Sequence, residues 1–170
     1  MQGIRFALLI IGLAFFCSFL NAEDSGMAIL KSPASEKFIN LPGLPTCMTV
    51  SVQRGDPSKE ASVMLFKFAA GCVVPWHWHT PNETLMIVSG HGRAEMKGSA
   101  PIPVGPGAYA YLPAKGVHQF TCLSGCVAFL SSDAGPLDTH YVDQDGKEMS
   151  AEQALAKPMG HKASKKSAKQ

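Results

Sequence analysis

The sequence predicts an all-β fold: a small antiparallel barrel or sandwich of about eight or nine short strands. Three observations carry this. The 170 residues include 16 glycines and 12 prolines, enough punctuation for many turns. Apolar, β-rich runs recur at intervals of about ten residues. No long 3.6-residue apolar period occurs in the body of the chain. At this length one domain with tails is expected, and 46% apolar with 16% charged residues fits a globular protein.

The strands are expected in order. Residues 47–54 and 61–68 flank the turn Gly55-Asp56-Pro57-Ser58-Lys59. Residues 71–79 and 84–88 follow, joined by Thr80-Pro81-Asn82-Glu83. Residues 93–96 alternate polar and apolar side chains, as a half-exposed strand does. Residues 98–107 hold three prolines and read as loop. Residues 108–112, 116–122 and 126–130 complete the pattern, and residues 135–142 offer an edge strand. Leu85 and Ile87 share one face of their strand and Met86 and Val88 the other, so that strand is expected to be buried on both faces. A short helix is expected at residues 150–156, with Ser150 and Gln153 placed as a capping box.

The ends differ from the body. Residues 1–5 carry one arginine, residues 6–20 are almost wholly apolar, and Ala22 offers a small residue for cleavage. This is the layout of a secretory signal peptide; the apolar run is short for a membrane span, which needs ~20 residues. Periplasmic or secreted protein is therefore expected, with no stable membrane anchor after cleavage. An uncleaved anchor is the alternative. Residues 23–46 read as an N-terminal arm, residues 47–142 as the barrel, and residues 143–170 as the helix and a basic, disordered tail. The tail holds five lysines; residues 23–155 carry nine basic and thirteen acidic side chains, a formal −4. The only basic cluster is thus the tail, no aromatic residue interleaves with it, and nucleic acid is not an expected partner. Four cysteines remain after cleavage: Cys47, Cys72, Cys122 and Cys126. Export permits disulfides, but spacing selects neither among three pairings nor between a bridge and buried thiols.

The chemistry concentrates in the stretch from Gly71 to Gly90. His77 and His79 are two apart, so on a strand they face the same way. Glu83 follows a short bend and can face back toward them. A carboxylate on a buried strand needs a partner, because an unpaired buried charge is very costly. A metal ion is the simplest one, and imidazole with carboxylate suits divalent Fe, Mn, Ni, Cu or Zn. His118 lies in a second segment of similar character, with Phe120 and Cys122 on its face. Either Tyr109 and Tyr111 or Ala108 and Ala110 line the same cavity, depending on register; both pairs suit a small organic ligand. Trp76 and Trp78 point away from the histidines, either as outer packing or as the core of a homodimer face. His91, His140 and His161 are expected to be structural or surface residues.

The two segments resemble the cupin motifs. Gly71, His77, His79, Glu83 and Gly90 meet every position of G-x5-H-x-H-x3-E-x6-G. Gly107, Pro113 and His118 match G-x5-P-x-G-x2-H-x3-N, in which Lys115 takes the inner glycine slot and Cys122 the asparagine slot. The resemblance covers about residues 47–142. It implies a jelly-roll β-barrel with His77, His79, Glu83 and His118 as metal ligands. It does not select a reaction, since the fold hosts dioxygenases, isomerases, storage proteins and sensors. Two functions are expected to compete. One is a metal-dependent oxygenase or isomerase on a small molecule, with Glu83 as ligand or base. The other is a non-catalytic metal or small-ligand binding module or sensor.

Overall fold

A computed structural model describes residues 28–156. The expected signal peptide and the lysine-bearing tail from residue 157 lie outside the described residues. The chain divides into two units, Met1–Lys31 and Ser32–Gln170, and every element named below belongs to the second. Its strands are β1 (Met48–Arg54), β2 (Ser62–Phe68), β3 (Val73–Trp78), β4 (Glu83–Ser89), β5 (Gly92–Met96), β6 (Ile102–Val104), β7 (Tyr109–Leu112), β8 (His118–Cys122), β9 (Cys126–Ser132), β10 (His140–Val142) and β11 (Glu148–Met149). The helix α1 follows at Ala151–Ala156. One sheet has the order β1-β2-β9-β4-β7 and the other β11-β10-β3-β8-β5-β6. All pairings are antiparallel.

The core forms where the inward faces of the two sheets meet. Along β2, Met64, Phe66 and Phe68 are buried while Val63, Leu65 and Lys67 turn outward, the two-residue period of a half-buried strand. Phe68 of one sheet packs on Phe120 of the other with ring centroids 5.1 Å apart. Val50, Leu85, Ile87, Ala128 and Leu130 extend the same cluster. Aromatic and aliphatic burial of this kind contributes about 1.5–3 kcal/mol per side chain.

Two expectations need correction. β4 is buried on one face only: Leu85 and Ile87 face the core, but Met86 and Val88 are 41% and 49% exposed. An antiparallel sheet needs only one packed face, and apolar content on the other misled the reading. The proline-rich stretch 98–107 contains β6, which pairs with β5 at the sheet edge. Pro103 is tolerated there because an edge strand leaves one row of N–H positions unpaired. The arm at residues 23–46 includes a 3-10 turn at Pro33–Ser35, and Ile39 bridges to Val50. The cysteines form two disulfides, Cys47–Cys72 and Cys122–Cys126. The first ties the start of β1 to the approach to β3, and the second closes the short connection between β8 and β9, which lie in different sheets. The capping box is realised: Ser150 N–H donates to Gln153 Oε1 and Gln153 N–H to Ser150 Oγ.

The first motif's last glycine is required by close approach. Gly90 has φ +82°, and a Cβ there would lie 1.9 Å from the Gly125 carbonyl oxygen. In the second motif, Lys115 occupies the inner glycine slot and keeps its left-handed geometry at φ +60°. An L-residue there carries a cost of about 1–2 kcal/mol. Its backbone N–H donates to the His79 carbonyl at 2.8 Å, which fastens the turn to the first motif.

Cys47–Cys72 spans 25 residues, a loop whose closure is worth about 3 kcal/mol of unfolded-chain entropy. Replacing both cysteines with serine is expected to lower the unfolding free energy by about that amount. Denaturant titration of the two proteins checks this.

Candidate metal centre

The site lies between the sheets, and a bulge in β3 sets it up. Val74 pairs with Phe120 and His77 with His118, so β3 holds one more residue than β8 over this interval. The extra residue falls at Pro75-Trp76, where proline lacks the N–H that a regular ladder needs. Without the bulge, Val74 and His77 would face opposite sides of the sheet. With it, both face inward, and His77 stands directly opposite His118. His79 lies one residue beyond the end of β3 rather than within it. Glu83 opens β4 in the facing sheet, flanked by Leu112 and Ser132 in register.

All four side chains are buried. One ring nitrogen from each of His77, His79 and His118 lies within 4.8 Å of the other two. Two nitrogens on one ion stand at most roughly 4.2 Å apart, twice a metal–nitrogen bond of about 2.1 Å. A small ring rotation closes the difference. The structure thus brings the predicted histidines together, and Glu83 Oε2 lies 2.8 Å from His79 Nε2.

The orientation of the rings is fixed from behind. His77 Nδ1 donates to the Pro75 carbonyl at 2.6 Å, and His118 Nδ1 to the Gly116 carbonyl at 2.8 Å. His79 Nδ1 donates to the Asp138 carbonyl in a very short bond. A carbonyl only accepts, so each Nδ1 must carry the proton. In the neutral rings the lone pairs are therefore all on Nε2. This arrangement presents metal ligands and holds their tautomer.

The inner side of the group is unsatisfied. Glu83 Oε2 and His118 Nε2 are buried with no hydrogen-bond partner. The 2.8 Å approach of Glu83 to His79 is of ion-pair length without the directionality of a hydrogen bond. Each orphaned buried acceptor costs about 1–3 kcal/mol. A divalent cation would satisfy both, and the donor set of three imidazoles and one carboxylate suits such an ion.

Electrostatics point the same way. Burial, with His118 and His79 as neighbours, holds the His77 pKa well below its ordinary value. Burial also lowers His118. For His79 burial opposes the charge, but the Glu83 carboxylate and Asp138 together raise its pKa. At neutral pH, His77 and His118 are thus unprotonated and ready to coordinate.

The other predicted residues sort out clearly. Phe120 lines the cavity beside the histidines. Ala108 and Ala110 pack on the core, while Tyr109 and Tyr111 are 65% and 56% exposed at its rim. His91 is exposed on the β4–β5 turn, its backbone bonded to Ser124 and Leu123. Half-buried His140 stacks on Trp78 at 3.9 Å and 4°. Sequence reasoning missed the three carbonyls of Pro75, Gly116 and Asp138. Only Pro75 left a signal, as a strand-breaking residue two before His77.

These shifts set the pH dependence of the metal-free protein. His77 and His118 bind protons more weakly folded than unfolded, so their contribution is lost as pH falls below 6.5. His79 has the opposite sign: its contribution is full below 6.5 and is lost as pH rises through its folded pKa. Stability is expected to fall as pH drops below 6.5, through His77 and His118, and as pH rises above 6.5, through His79. Denaturant midpoints on both sides of that pH check it, and a flat profile would contradict the buried neutral histidines.

Residues 64–131 match the Cupin domain family, Cupin_2. No curated protein matches the chain. Among solved structures, the polyketide cyclase RemF from Streptomyces resistomycificus aligns at TM-score 0.57 and 16% identity, over 71% of this chain and 90% of that one. A cupin-2 domain from Rhodospirillum rubrum aligns at TM-score 0.57 and 16% identity, over 71% and 84%. The DMSP lyase DddQ from Ruegeria pomeroyi DSS-3 aligns at TM-score 0.54 and 19% identity, over 67% and 64%. Identities this low speak for the fold alone. With both motifs in place on a two-sheet jelly roll, residues 64–131 form a cupin-type domain.

Proposed function

We propose that the protein is an exported metal-binding cupin that acts on a small organic molecule, with dioxygenase-type oxidation as the reaction its site suits best. The observation that carries this is the meeting of three oriented imidazoles and an orphaned carboxylate at the wall of an apolar cavity. His77, His79, His118 and Glu83 would hold the ion. Four protein donors leave one or two positions on a five- or six-coordinate metal for other ligands. A bound divalent ion supplies a Lewis acid that polarises a substrate oxygen.

The chain's own residues do the rest. The cavity measures about 540 Å³, within the ordinary size of small-molecule sites. Phe66, Phe68, Val74, Leu85 and Phe120 exclude water from it. Among the described residues that line it there is no lysine or arginine. A second anionic group on the substrate would thus be buried without a counter-charge, which is unfavourable. The reading therefore favours a molecule with one metal-binding end and an uncharged, largely apolar remainder. Glu83 Oε2, facing the same space, is placed to accept a proton from that end. Two disulfides support an oxidising compartment and hence export.

A second reading, binding without chemistry, draws on one observation. Apart from the four donors, the ionisable side chains lining the cavity are Glu95, whose carboxylate accepts from Gln119, and the two rim tyrosines. No second acid–base pair faces the site among the described residues. The structural neighbours include a cyclase and a lyase, so the fold itself does not choose.

Protein loaded in turn with Fe, Mn, Ni, Cu and Zn is expected to consume oxygen with at least one of a panel of diketones, flavonols and thiols. Ligand-dependent melting shifts without turnover for every metal would favour the binding reading instead. His77→Ala is expected to lose bound metal by elemental analysis, while His91→Ala retains it. Equal metal content in the two variants would contradict the assignment of ligands.

A further inference from the structure

The residues matched to the family end at Ser131, yet the histidine pair of the first motif is backed by residues beyond that point. Three consecutive contacts come from Asp138 and β10. The Asp138 carbonyl accepts from His79 Nδ1. Tyr141 stands opposite His77 in register, 1% exposed, with ring centroids 6.1 Å apart. His140 pairs with Trp78, the residue between the two histidines.

The Asp138 carbonyl is itself held in place through its side chain. Oδ1 accepts from Thr80 N–H at 2.7 Å and Oδ2 from Thr80 Oγ1 at 2.5 Å. His140 Nε2 lies 3.0 Å from the same Oδ2. Thr80 follows His79 directly in sequence. The carboxylate thus clamps the residue after the histidine, while the carbonyl of the same aspartate clamps the histidine ring. A histidine bonded at Nδ1 to a loop carbonyl keeps its orientation only if the loop is fixed, and Asp138 supplies its own fixation.

We infer that Asp138 is a positioning residue for the metal centre, aiming His79 Nε2 through a clamp made with Thr80 and His140. The inference rests on the metal-binding reading above. It does not depend on which reaction follows. Residues that orient a ligand from behind typically change metal affinity by about 10–100-fold when removed.

Cobalt(II) is a suitable probe because its visible absorption reports ligand geometry. Asp138→Ala is expected to bind Co²⁺ about 10–100-fold more weakly than the unaltered protein and to shift its d–d bands. Asp138→Asn keeps an oxygen that can accept from Thr80 N–H and is expected to recover most of the affinity. Thr80→Ala, which removes only the hydroxyl, is expected to give a smaller loss and serves if Asp138→Ala does not fold. Wild-type affinity and bands in Asp138→Ala would overturn the inference, as would wild-type behaviour in Thr80→Ala where Asp138→Ala fails to fold. Equal losses in the alanine and asparagine variants would also overturn it. If unaltered protein takes up no cobalt, the metal-binding reading falls and this inference with it. Uptake by unaltered protein with indifferent variants rejects the positioning role alone.

Discussion

Three hydrogen bonds made on the far side of three imidazoles govern the site. Each Nδ1 is spent on a backbone carbonyl, so in the neutral ring each Nε2 is left facing the interior without a proton. Buried lone pairs and a buried carboxylate oxygen with no hydrogen-bond partner are unfavourable by themselves. They make sense when a cation relieves them. The bulge at Pro75, the turn at Gly116 and the clamp at Asp138 are three separate devices for delivering those carbonyls.

The barrel then serves as the frame that brings distant segments to this point. His77 and His118 meet because β3 and β8 are neighbours, and Glu83, on β4 of the opposing sheet, meets His79. The same packing leaves an apolar cavity next to the donors. Chain beyond the matched family region contributes as well, since β10 pairs with β3 and carries residues that back both histidines. Specialisation in such a fold resides in what lines and braces the centre rather than in the strands.

Much of this was readable before any coordinates. His77, His79 and Glu83 announced themselves because strand geometry has a fixed period and a buried carboxylate demands a partner. His118 was suggested by the similar character of its segment and supported by the motif resemblance, since nothing local ties it to a segment some forty residues earlier. Asp138 could not be read, because a backbone carbonyl has no residue signature and its effect crosses 59 positions of sequence. The β3 bulge was half-legible in Pro75. Cysteine pairing stayed open for the usual reason that spacing carries no distance information. Met86 and Val88 misled because β-propensity and burial look alike in a short apolar run.

The most direct measurement is X-ray absorption at the metal edge of protein loaded with a single divalent ion. The account predicts scattering from three imidazole rings together with a carboxylate oxygen on one ion. Scattering from at most one imidazole, or from sulfur, would contradict it.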